Sequence, residues 1–255
     1  MARIWTIARM TFIEARRNRV TWSLLFFCGV LVMTSFMFQE LTIAGFDRVV
    51  RDVGLAAIHA FGVMLAIFLG VSVVTREIER RTVYSLLARP LGRAQYLIGK
   101  VLGVWITIIV SLSLMMCAFL IENALYGGPM AAVVFETFWL MLVELLVITS
   151  FSVLVSTFSS SVMAAFLSMS LFIIGHTSQD LYFFGRKSHV ELVRKLGAAC
   201  FFALPNLERL NLKTKASIME GVPLHDVLLD SLYGFCFVMI FLVAAASIFG
   251  RRDLK

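Results

Sequence analysis

Charged side chains are scarce in this sequence: Asp, Glu, Lys and Arg make up 15% of its 255 residues, against about a quarter in a soluble domain. That shortfall excludes a water-soluble globule, which needs more polar surface to cover it. Hydrophobic residues reach 60% and mean hydropathy is +0.91, so lipid is the expected solvent for much of the chain. Proline is nearly absent, at four residues, and no Pro-rich, Gly/Ser-rich or low-complexity linker divides the chain. A single transmembrane domain over residues 1–255 is expected. The cysteines, Cys28, Cys117, Cys200 and Cys236, form neither a C-x-x-C motif nor a disulfide framework. No clear internal repeat is present, which argues against transporters built from duplicated halves.

Motifs of catalysis are missing as well. A nucleotide-hydrolysing loop needs an upstream glycine and a GK[ST] ending, but Gly99-Lys100 is followed by Val101 and lacks that glycine. There is no H-E-x-x-H or G-x-S-x-G. Catalysis by this chain and a cofactor of its own are not expected. The formal net charge of +7 does not point to nucleic acid. The basic residues sit at the ends of apolar runs, not on a continuous face interleaved with aromatics.

What the sequence does have is apolar runs of about 20 residues, the length of helix that crosses a hydrocarbon core. Six spans are expected: Val20 to Phe38, Leu55 to Val74, Val101 to Ile121, Val133 to Thr157, Val162 to His176 and Ser231 to Gly250. Residues 1–19 are too polar to span and lack the apolar core and cleavage site of a signal peptide. Wound as a helix, they place Ile4, Trp5, Ala8, Phe12 and Ala15 on one side, with Arg3, Glu14 and Arg17 opposed. An amphipathic helix in the membrane interface is expected there.

Orientation follows from Lys and Arg. With the N-terminus inside, the cytoplasmic pieces 1–19, 75–100 and 251–255 hold fourteen, and the short outer pieces hold two. The long segment 177–230 is left out because long loops obey the rule poorly. Both termini are therefore expected in the cytoplasm. The segment 177–230 carries apolar patches too short to cross, Leu196 to Leu204 above all, and is broken by Pro205 and Pro223. Short re-entrant or interfacial helices on the outer side fit that pattern better than a solvated loop.

Two carboxylates, Glu136 and Glu144, lie in the fourth apolar block, and Glu144 is near mid-membrane. An ionisable group at that depth is costly and faces a partner or a wet cavity. Glu144 is either a pathway or proton-relay residue or a helix clamp, and no intramembrane Lys or Arg is evident to pair with it. His176 and Asp180, four apart near the outer end of the fifth span, share a helix face, as a polar pair or a metal site.

The loop 75–100, TREIERRTVYSLLARPLGRAQYLIGK, is the most informative stretch. It opens on Arg76, Glu77, Glu79, Arg80 and Arg81. An apolar turn through Leu86 and Leu87 follows, then a bend at Arg89-Pro90 and a second turn from Arg93 to Lys100. Proline disfavours helix at the residue before it. The pattern reads as a helix–turn–helix below the membrane, offering a charged face to a soluble partner.

At these residues the sequence resembles the membrane subunits of ABC-2 transporters. Those permeases carry an acidic cluster, a GT-L-E-like turn, then LL-x-x-P and an Arg and Lys before the third span. Glu77 and Glu79, Thr82, Leu86, Leu87, Pro90, Arg93 and Lys100 match, while Arg81 stands for the usual Gly and Tyr84 for the usual Glu. Pro205-Asn206-Leu207 and the closing FGRRDL, Phe249 to Leu254, extend the likeness. The resemblance implies an all-α polytopic fold with an N-terminal elbow helix, six spans and re-entrant helices between the fifth and sixth. It implies an export permease in a cell's inner membrane, working as a dimer of this chain or with a related permease. ATP and Mg would be held by a separate ATPase subunit, coupled through the loop 75–100. A stand-alone transporter or channel using Glu144, and a non-transporting assembly factor, are the other readings the residues leave open.

Overall fold

The computed structural model describes residues 2–16, 46–80, 93–125, 131–187 and 204–251, with isolated positions at 26 and 29 and between 191 and 201. Regular structure among the described residues is helical, with no strand. The helices are α1 (Ala2–Arg16), α2 (Phe46–Arg80), α3 (Arg93–Leu125), α4 (Ala132–Ser156), α5 (Ser161–Lys187), a 3-10 turn (Leu207–Leu210), the short α6 (Lys213–Ser217) and α7 (Leu224–Arg251). Five of them, α2, α3, α4, α5 and α7, are long and apolar enough to cross a membrane. The chain is a multi-pass helical membrane protein. The expected first span, Val20 to Phe38, lies outside the described residues except for Phe26 and Gly29, both helical.

The helix α4 sits at the centre, packed on α2, α3, α5 and α7. Its spanning window is 72% buried, as is that of α2, against 28% for α5 and 22% for α7. A helix apolar on every side belongs where every side is covered. The hydroxyls of its last turns do not break it, because Thr149, Ser150 and Ser152 each donate to the carbonyl four residues back, at 2.7, 2.7 and 2.8 Å. Without water, such internal bonds are the available way to satisfy a hydroxyl on a helix. Small side chains also let α2 close on α4. A Cβ on Gly70 would stand 2.8 Å from the Ser152 Cβ and 3.1 Å from the Thr149 carbonyl oxygen, so the two backbones meet there as small-residue crossings in membranes do.

The helix α1 lies along the start of α3. Gly99 and Gly103 of α3, four apart, form the trough: a Cβ on Gly103 would meet the Ala8 carbonyl oxygen at 2.5 Å and the Thr11 Cβ at 2.6 Å. The face of α1 that packs is made of small residues, with Ala8, Thr11 and Ala15 buried. Trp5, assigned to the apolar face from the sequence, is 64% exposed, and Met10 and Ile13 are exposed with it. Of the face assigned from the sequence, Ala8 and Ala15 are buried and Ile4 and Phe12 half-buried, and Trp5 alone turns outward. Glu14 and Lys100 add an exposed ion pair at 3.4 Å, which contributes little.

Helix ends differ from the sequence expectation in one direction. The fifth span was expected to stop at His176, but α5 continues to Lys187. Hydropathy falls at His176, yet nothing in the next eleven residues breaks a helix, and Arg186 and Lys187 occupy its last turn, where cations suit the helix dipole. The final helix likewise starts at Leu224, directly after Pro223, with Asp226 in its first turn.

Residues 204–223 fold back onto the bundle as the 3-10 turn and α6, touching α4, α5 and α7 through the turn and α2 and α4 through α6. Leu207, Leu210 and Ala216 are buried. The turn is capped by Asn206, whose side chain accepts from the Glu208 N–H at 3.1 Å, while the Asn206 N–H donates to the Tyr233 hydroxyl at 2.8 Å. Arg209 pairs with Asp230 at 2.8 Å, and Arg51 of α2 donates to the Ser217 carbonyl at 3.2 and 3.3 Å. The piece is seated by Leu207 against Gly175 of α5, where a Cβ would meet the Leu207 Cγ at 2.7 Å.

Candidate functional site

The fold brings four ionisable side chains together from four elements. Glu144 is the thirteenth residue of α4, about 18 Å along the helix from Ala132 at 1.5 Å per residue. His59 lies eight residues into the α2 window that starts at Arg51, about 12 Å down. His176 is eleven residues before the end of α5, about 16 Å from Lys187. Those three helix ends lie on one side of the bundle, because α2 and α4 run one way and α5 returns. Lys213, the first residue of α6, is carried down to the same depth by the folded-back segment.

His59 and Glu144 are fully buried, at 4% and 1% exposure. His59 Nε2 lies 2.9 Å from Glu144 Oε1, and Lys213 Nζ lies 2.6 Å from His59 Nδ1. The network assigns the protons. The lysine ammonium has no acceptor, so it donates to Nδ1, and the imidazole then carries its own proton on Nε2 and donates to the carboxylate. Lys213 is held below the ordinary lysine value by burial, an effect opposed by the nearby Glu144 and Glu208 carboxylates.

His176 completes the group. Its Nδ1 faces the Phe172 carbonyl oxygen at 3.2 Å, and its Nε2 faces Glu144 Oε1 at 3.6 Å and Glu208 Oε2 at 4.0 Å. Phe172 packs against both imidazoles, with ring centroids 4.6 Å from His176 and 5.7 Å from His59.

Sequence reasoning foresaw part of this. Glu144 and His176, both singled out from the sequence, stand side by side, and Glu144 does have ionisable neighbours within the bundle, contrary to the expectation of a lone carboxylate. Asp180, expected to pair with His176 one turn away, is exposed, and His176 turns inward to Glu144 instead. Glu136 is half-buried and stands apart from the cluster; eight residues is not a whole number of helical turns, so the two carboxylates diverge. His59 and Lys213 were missed. His59 carried the same signal as Glu144, an ionisable group deep within an apolar run. Lys213 carried none, since only the fold-back of its segment brings it inward.

The other set of expected residues lies at the far end of α2. Arg76, Glu77, Glu79 and Arg80 are on its last helical turns, and Arg93 opens α3. Arg81, Thr82, Leu86, Leu87, Arg89 and Pro90 lie outside the described residues. What is described is the frame that holds this loop: α2 on one side, packed on α4, and the first turns of α3 on the other, clasped by α1 at Gly99 and Gly103.

No curated protein matches the chain. A family model does: that of the ABC-2 family transporter proteins, over residues 5–176. The match begins in α1, runs through the helix ends that flank residues 75–100, and closes at His176, so it includes His59, Glu144 and His176 but not Lys213. Covering well over half of a chain of apolar, closely crossing helices, it shows that this protein belongs to the ABC-2 transporter family.

Proposed function

We propose that this chain is the permease subunit of an ATP-driven exporter, docking on a separate ATPase subunit through residues 75–100. The observation that carries this reading is the family match over residues 5–176, taken with the clasp of α1 on α3 directly after the loop. A loop that transmits force must be anchored at both ends. Here one end is continuous with α2, seated on the central helix, and the other is α3, held by α1. ATP and Mg belong to the partner, whose closure pushes the loop and, through α2 and α3, alters the crossing of the spans.

In this reading α1 is the elbow helix, lying in the cytoplasmic interface with Trp5 and Met10 toward lipid. Residues 204–223 form the re-entrant piece on the outer side, in a cell's inner membrane with both termini cytoplasmic. The pathway lies between two copies of this chain, or this chain and a related permease. The poorly covered faces of α5 and α7, with Phe166, Ile173, Leu228, Leu232 and Met239 exposed, meet lipid or that second permease.

The test is charge reversal in the loop. Glu77→Lys or Arg80→Glu is expected to uncouple ATP hydrolysis by the partner from transport while the permease remains folded. Normal transport by both variants would end the coupling role of the loop.

The buried cluster favours a second reading, a stand-alone transporter coupled to protons through Glu144. It predicts the opposite pattern: Glu144→Gln abolishes transport and the loop tolerates change.

A further inference from the structure

We infer that His59, Glu144 and His176 form a buried binding site for a first-row divalent transition cation of the zinc class, inside the membrane domain. One ligand atom from each of the three residues lies within 4.8 Å of the others, and Glu144 Oε1 is 2.9 Å from His59 Nε2 and 3.6 Å from His176 Nε2. Four-coordinate zinc with bonds of about 2.0–2.1 Å sets its ligand atoms about 3.3–3.4 Å apart. The two carboxylate–nitrogen spacings bracket that value. Two imidazoles and one carboxylate are a donor set suited to zinc and its neighbours. In taking the ion, His59 releases the Nε2 proton that it otherwise donates to Glu144 and receives one on Nδ1 from Lys213, whose amine is left neutral.

A second observation, independent of the spacing, also points to a cation. With Nδ1 of His176 facing a carbonyl oxygen at 3.2 Å, that nitrogen carries a proton, and in the neutral ring Nε2 keeps its lone pair. The lone pair is buried, has no hydrogen-bond partner, and is aimed at a carboxylate oxygen 3.6 Å away. Two electron-rich atoms held together away from water repel each other unless positive charge stands between them. A backbone carbonyl on the far nitrogen is also the outer contact that fixes a ligating histidine in the required tautomer.

The local charge agrees. Glu144 and Glu208 face the site and Lys213 is the one cation that contacts it among the described residues. In their ordinary charge states these three leave it one negative charge in excess. His176 is partly exposed, at 17% for its side chain, and gives an ion a way in. The ligands come from α2, α4 and α5, so a bound ion ties three spanning helices together at one depth. Transport reading and metal site stand apart: the ion binds whether or not an ATPase couples to this chain.

The experiment is zinc binding by the full-length chain in detergent, purified through a tag without histidine, followed by cobalt substitution. We expect one zinc per chain after dialysis, and visible ligand-field absorption of four-coordinate cobalt. His176→Ala and Glu144→Gln should each weaken zinc by at least about 100-fold, more than loss of an outer contact does, while His225→Ala leaves it unchanged. If a ligand variant fails to fold, the cobalt spectrum of the unaltered chain decides. Absent binding, absent cobalt bands, or zinc affinity unmoved in folded His176→Ala protein would overturn the site and leave protons as the cluster's only occupants.

Discussion

Glu144 would be among the costliest residues in the chain if it stood alone. An ionised side chain in mid-membrane is tolerated where other groups meet it, and here His59 donates to it at 2.9 Å with Lys213 behind. The relay makes His59 the residue on which two others depend. Its removal leaves a buried carboxylate without its nearest donor and a buried amine without its acceptor. His59→Ala is expected to cost about 1–3 kcal/mol, read as a lowered midpoint of thermal unfolding in detergent. His225, which is largely exposed, serves as the control, and its replacement by alanine should leave the midpoint where it was. At this scale the sequence was half legible. Glu144 announced itself by its depth in an apolar run, and so in principle did His59. Lys213 sits in a polar stretch of a broken segment, and only three-dimensional return of that segment gives it a role.

Elements, as opposed to residues, meet through missing side chains. The trough on α3 exists because Gly99 and Gly103 have no Cβ, and the backbone of α1 occupies that space. Gly103→Leu cannot be accommodated by a rotamer change, because the nearest obstacle is the Ala8 carbonyl oxygen at 2.5 Å. Overpacking of this kind costs about 1–3 kcal/mol. The variant should free α1 from α3, seen as loss of a disulfide cross-link engineered between the two helices, with the remaining bundle folded. A comparable test applies to the folded-back piece. Gly175→Leu collides with Leu207 and the Pro205 carbonyl, and should increase proteolytic cleavage within residues 204–223 while sparing the α1 clasp. Span positions were readable from hydropathy because lipid demands about 20 apolar residues in a row. The ends were not, as α5 shows by running on to Lys187: polar residues end an apolar run without ending a helix. Periodicity placed the buried Ala8 and Ala15 of α1 on its packing face but set the exposed Trp5 there too, since backbone proximity, not apolar area, selects the small residues.

For the whole molecule, the arrangement is of a central helix, α4, wrapped by better-covered α2 and α3 and by α5 and α7, whose outer faces are bare. The proposed half-transporter role gives that asymmetry a use, since such a chain would present one side to lipid and another to its mate. The buried cluster and the loop end of α2 lie on the same helix: the seventeen residues from His59 to Arg76 span about 25 Å at 1.5 Å per residue. Under the proposed coupling, a displacement imposed at the loop would reach the cluster along one continuous element. Gentle purification of the chain from its native membrane, with identification of any stoichiometric soluble partner, tests the central claim most directly. The account predicts a co-purifying ATPase carrying a GxxxxGK[ST] loop, lost when residues 76–93 are scrambled. A stable assembly of this chain alone, with full transport activity and no such partner, would contradict it.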